Sequence, residues 1–125
     1  MGQMQGDGPG QLETLRQKVA DFAAARDWDQ FHTPKNLAMA LIAEAAELVE
    51  HFQWLTPEQS RHLPVEKLDA VSQELADVLI YLVRLADKLG VELMQAVESK
   101  MALNEQRYPS GRVRGDARRA GEYKT

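Results

Sequence analysis

Cysteine is absent from this 125-residue chain, which excludes disulfides, thiolate metal sites and cysteine nucleophiles. Aromatic residues are scarce at 6%, and no stretch alternates apolar and polar residues with period two, so no sheet is expected. The longest apolar run, Val78 to Val83, is far too short to cross a bilayer, and the first residues lack a signal-peptide pattern. A cytoplasmic protein with no membrane partner is the expectation. There is no Walker-type glycine loop, and His32, His51 and His62 show no zinc spacing. Nor does any Glu-x-x-His pair occur, which removes the di-iron carboxylate bundles.

What is there is ordinary in bulk and uneven in detail. The chain is 44% hydrophobic and 27% charged, a size and composition for one folded domain. A net charge of −4 argues against a nucleic-acid polymer as partner. From Arg107 onward, however, six Lys/Arg face two acids, Asp116 and Glu122, and the rest of the chain is correspondingly acidic. A solvated tail is the simpler reading of that basic end, a phosphate-facing flap the functional one.

In chain order, residues 1–10 are glycine-rich and polar and are expected to be a disordered tail. A first helix is expected from about Gln11 to Trp28, burying Leu12, Leu15, Val19, Phe22 and Ala23. Thr33 caps a second, with Pro34 at its first position, where a missing N–H is harmless. Its apolar spacing extends through Trp54. Thr56-Pro57-Glu58 repeats the start signal for a short turn that Leu63-Pro64 ends. A third helix runs from about Val65 to Leu89, closed by Gly90. Leu68, Val71, Leu75, Val78, Leu79, Leu82, Leu85, Ala86 and Leu89 give it a stripe wide enough for burial on more than one side. A fourth helix spans about Glu92 to Gln106. The fold class is thus all-α, a four-helix bundle over residues 11–109, with a flexible basic tail over residues 110–125.

One feature breaks the core pattern. Glu44 falls where the apolar stripe of the second helix should continue, and Glu47 lies one turn on. Glu74 and Asp77 repeat that spacing on the third helix. Residues three apart share a helix face, and carboxylates turned toward an interior need compensation. Two antiparallel helices can therefore bring two acid pairs into one all-oxygen site, suited to Mg²⁺, with Mn²⁺ as a substitute. The competing reading is that these acids are solvated, as Glu13, Glu58, Glu66 and Glu92 are expected to be.

At this point the chain resembles the MazG-like all-α NTP pyrophosphohydrolases, and among them the dCTP pyrophosphatases. The resemblance is carried by Arg26-Asp27-Trp28, Phe31-His32, Pro34-Lys35-Asn36-Leu37, Glu44-Ala45-Ala46-Glu47-Leu48 and Phe52-Gln53-Trp54. It continues through Glu74-Leu75-Ala76-Asp77-Val78-Leu79-Ile80-Tyr81-Leu82, Ser99-Lys100-Met101, Asn104 and Arg107-Tyr108-Pro109. Ala43 departs from it, because the wider family often has a glutamate there, so a fifth carboxylate is missing.

The resemblance implies that Glu44, Glu47, Glu74 and Asp77 hold Mg²⁺ against a triphosphate, with one carboxylate able to take a proton from water. It implies assembly as dimers or tetramers and a role in clearing nucleotides from the pool; the wide stripe of the third helix favours a homo-oligomer, a tetramer over a dimer. Lys100, Asn104 and Arg107 share a face of the fourth helix and would meet phosphate oxygens and a sugar hydroxyl. Tyr81, one turn past Asp77, would reach the same cavity. Trp28, His32 and Trp54 would line the base pocket, with Phe31 as a further aromatic candidate. Lys35 and Asn36 open the second helix, whose N-terminus favours anions. The same chemistry on another nucleotide, such as dUTP, stays open, as does a non-enzymatic helical interaction module.

Overall fold

The structure, a computed structural model, describes residues 10–118 and 120–122; residues 1–9 of the tail expected over 1–10 lie outside them, as do Arg119 and Lys124. Among the described residues every regular element is helical. They divide into two compact units, one ending at Val91 and the other beginning at Glu92.

In the first unit, α1 spans Gln11–Ala25, α2 Pro34–Glu50, α3 Pro57–Ser60 and α4 Val65–Leu89. Both α1 and α2 pack against α4. The core they share is small, made of Ala23, Leu37, Val71, Val83 and Ala86. Leu37, 1% exposed, is its most enclosed large side chain.

The starts of these helices follow from local chemistry. Thr33 Oγ accepts from the Asn36 backbone N–H at 3.2 Å, with Pro34 opening α2. Thr56 and Gln59 form a reciprocal capping box on α3. The ends differ more from expectation. Helix α1 stops at Ala25, not Trp28, because Asp27 adopts a left-handed conformation, φ 54°. The Trp28 N–H then returns to Ala23 O and the Asp27 N–H to Ala24 O, a Schellman ending with aspartate where glycine is usual. Gly90, φ 69°, ends α4 with the same pair of bonds, from Val91 to Ala86 and from Gly90 to Asp87. Helix α2 stops at Glu50, and His51 to Leu55 form turns, so Trp54 lies in a connection and not on the helix.

The wide stripe on α4 is only partly covered. Val71, Val83 and Ala86 are buried, whereas Leu68, Leu75, Leu79, Leu82 and Leu89 are exposed. On α1, Ala23 is buried but Phe22 is exposed.

The second unit holds α5, Leu93–Arg107, and α6, Ser110–Val113, followed by a 3₁₀ turn at Ala120–Glu122. Glu92 caps α5 by accepting from the backbone N–H groups of Met94 and Gln95. The short α6 lies within the stretch expected as a flexible tail. Among the described residues no helix is long and apolar enough to cross a membrane.

Candidate functional site

Because α2 packs along α4, their inward acids come together. One carboxylate oxygen each from Glu44, Glu74 and Asp77 lie within 4.8 Å of one another, and all three side chains are half-buried. Glu47 is more exposed and borders Glu44. A hydrogen bond with Glu47 is the main cause that pushes the Glu44 carboxyl up to about 7. Burial, the negative charges of Glu47 and Asp77, and a hydrogen bond with Glu74 add to it. A cation among these acids would relieve the same repulsion. Glu74 Oε2 is buried without a hydrogen-bond partner among the described residues, an arrangement that is unfavourable unless something else meets it.

This donor set fits a hard divalent ion. Three half-buried carboxylates with oxygens within 4.8 Å of one another would supply the all-oxygen ligand set that Mg²⁺ takes.

The acids belong to a longer polar edge. Glu74, Asp77, Tyr81, Arg84 and Lys88 follow one another along α4 at steps of three and four, and so share one face. Arg84 is missing from the sequence-based candidates, since a long cation on a helix defaults to solvent. Here its side chain is only 5% exposed. Its Nε donates to His32 Nδ1 at 3.0 Å, and its terminal nitrogens pair with Asp29 and Asp87. Lys88 also reaches Asp29, at 2.7 Å, and Arg16 of α1 reaches Asp87, at 3.2 Å. Burial and the charges of Arg84 and Lys88 hold the His32 pKa below its usual value. The periodic spacing from Asp77 was the available signal for Arg84.

The other candidates are distributed as follows. Trp28 is 44% exposed and packs edge-on against Phe22, ring centroids 5.7 Å apart. Phe31 is exposed in the 3₁₀ turn Asp29–Phe31. Trp54, 86% exposed, has almost none of its indole covered. Tyr81 is half-buried and Lys35 exposed. The Asn36 side-chain amide donates to Phe31 O at 3.0 Å, tying the start of α2 to the preceding turn. Lys100, Asn104 and Arg107 lie on α5 in the second unit, where the Arg107 guanidinium sits 6.0 Å from the Tyr108 ring centroid.

Residues 40–122 match the MazG-like family. The chain is 50% identical to dCTP pyrophosphatase 1 of Mus musculus over 108 residues, covering 85% of this chain and 64% of that protein. It is 48% identical to dCTP pyrophosphatase 1 of Homo sapiens over 114 residues, covering 89% of this chain and 66% of that one. The chain thus spans slightly less than two thirds of the length of these relatives. A crystal structure of a pyrophosphatase from Archaeoglobus fulgidus superimposes with a TM-score of 0.71 at 37% identity, covering 85% of this chain and 99% of that one. With the fold, the acid cluster and a match across most of its length, the chain belongs to the MazG-like family.

Proposed function

We propose that the chain is a Mg²⁺-dependent nucleoside triphosphate pyrophosphohydrolase, converting dCTP or a modified dCTP and water to dCMP and pyrophosphate. The observation that carries this reading is the convergence of Glu44, Glu74 and Asp77, together with a Glu74 Oε2 that is buried without a hydrogen-bond partner among the described residues. Names borne by the relatives support the substrate.

Glu44, Glu47, Glu74 and Asp77 would hold the ion, which when bound neutralises charge on the triphosphate. Water adds across the anhydride between the α- and β-phosphates, pyrophosphate leaves, and one of the four carboxylates takes the water's proton. Along α4, Arg84 lies seven residues beyond Asp77, a rise of about 10 Å. That span is comparable with the distance from the phosphates to the base of a nucleotide, which supports reading the His32–Arg84 pair as the base end. Trp28, His32 and Trp54 would flank the base, Tyr81 the sugar, and Lys35 with Asn36 an anionic group; on α5, Lys100, Asn104 and Arg107 have the chemistry to meet phosphate oxygens and a sugar hydroxyl. A homotetramer in preference to a dimer would cover exposed Leu75, Leu79 and Leu82 of α4.

The test is pyrophosphate release from dCTP, dUTP, dTTP and dATP, with Mg²⁺ and with EDTA. We expect dCTP to be hydrolysed best and EDTA to stop every reaction. A preference for dUTP would reassign the substrate within the same chemistry. Absence of metal-dependent turnover with all four would leave a helical interaction module.

A further inference from the structure

Arg84 is the one buried charged residue among those described. A buried guanidinium needs partners for its charge, and Asp29 and Asp87 supply them. With Lys88 on Asp29 and Arg16 on Asp87, and with Glu13 paired to Arg16, three cations meet three acids. The charge is balanced without His32. The Nε–H nevertheless goes to His32 Nδ1, at 3.0 Å.

That contact has only one chemical meaning. Arginine has donors and no acceptor, so Nδ1 must present a lone pair. An imidazolium is excluded, and in the neutral ring the remaining proton must sit on Nε2. No described residue hydrogen-bonds to that second nitrogen. Further protonation would add a fourth positive charge beside Arg84 and Lys88, in keeping with the depressed pKa of His32.

We propose that Arg84 is a specificity-determining positioning residue, locking His32 in the Nε2–H tautomer so that the base pocket offers a fixed hydrogen-bond donor. A donor there selects an acceptor on the base edge. Cytosine has one at ring nitrogen N3, where uracil and thymine carry an N–H that would face the imidazole donor. Sites built around one hydrogen bond discriminate strongly against a group that cannot complete it. The role in base choice rests on the reading of His32 as a residue of the base pocket; the tautomer does not.

The tautomer is read directly from the imidazole ¹⁵N shifts of His32 in the wild-type protein at about pH 8, where an unperturbed histidine is neutral. We expect a pyridine-type Nδ1 and a protonated Nε2. A protonated Nδ1, or a mixture of tautomers, overturns the proposal whatever the protein cleaves. Arg84→Met should release the ring to sample both forms and lower kcat/KM for dCTP by about tenfold, the worth of one hydrogen bond. The loss should fall mainly on KM and shrink the dCTP-to-dUTP ratio. Arg84→Gln keeps an amide nitrogen at the same position along the side chain as Nε, and should restore both the tautomer and the ratio. Asp87→Asn weakens the same charge network and should lower Tm without moving either. If the ratio is unchanged in Arg84→Met while the tautomer is lost, Arg84 has no part in base choice. Should Arg84→Met not fold, the wild-type spectrum and the glutamine variant decide alone. Absence of any turnover in the wild type with the expected tautomer would count against the pyrophosphatase reading and so against base choice, leaving the tautomer assignment in place.

Discussion

Glu44 on α2 and Asp77 on α4 point carboxylate oxygens at the same spot, within 4.8 Å, and Asp77 is one of the charges keeping Glu44 protonated up to about 7. An acid whose pKa is raised on folding binds more protons folded than unfolded. It therefore loses stability for the protein as pH rises from its ordinary 4.5 through about 7. His32, with a lowered pKa, acts in the opposite direction as pH falls below its ordinary 6.5. The Glu44 contribution is isolated by comparing wild type with Glu44→Gln in EDTA. Their Tm values should nearly coincide at about pH 4, below the ordinary carboxyl value, and the variant should be the more stable at about pH 8. Equal differences at both pH values would remove Glu44 from the acid cluster.

Metal should invert that order. Glu74→Gln and Asp77→Asn relieve repulsion, so both should melt above wild type in EDTA and below it in Mg²⁺. Their turnover should fall by at least about a hundredfold, since a bound cation contributes several kcal/mol to stabilising charge in the transition state. Glu47→Gln should also abolish turnover, although Glu47 is the most exposed of the four. Wild-type activity in any of these variants would refute the four-carboxylate site.

Much of this arrangement is legible in the sequence where local chemistry decides it. Thr33-Pro34 and Gly90 mark helix ends because their effects need no tertiary partner. The acid pairs are legible because a glutamate within an apolar stripe is unfavourable unless compensated. The end of α1 is not, since Asp27 is an uncommon residue in a left-handed ending. Arg84 is the instructive omission. Its burial depends on Asp29 and Asp87, one of them 55 residues away in the chain, and no local pattern encodes that pairing. The stripe on α4 reads correctly as broad, but its breadth alone does not say which of its leucines the chain covers by itself.

Those uncovered leucines lead to an assembly prediction. Leu75, Leu79 and Leu82 stand exposed on a helix that already buries Val71, Val83 and Ala86, and adjacent apolar positions of this kind favour a second copy. Light scattering should give a tetramer at micromolar concentration. Leu79→Asp should shift it toward smaller species while leaving the helical circular dichroism unchanged. A monomeric wild type at that concentration would refute the expectation.

The two tryptophans separate binding from folding. Trp54 is 86% exposed, so Trp54→Ala should leave Tm nearly unchanged. Trp28 packs edge-on against Phe22, an aromatic pair of the kind that contributes about 0.5–1.5 kcal/mol, so Trp28→Ala should lower Tm as well. If both indoles stack on the base, each variant should lose about 1–3 kcal/mol in kcat/KM for dCTP. The acids meet only ion and phosphate and should treat every triphosphate alike. The loss should therefore be much smaller for a poorly bound purine such as dATP. The decisive measurement is kcat/KM for dCTP, dUTP, dTTP and dATP in wild type and both variants, alongside Tm. For Trp54 the outcome has one clean reading, because so exposed an indole has little structural work to lose. A selective fall for dCTP at constant Tm would place it on the base. A uniform fall across all four nucleotides would deny it that role and leave base choice to His32 and its arginine.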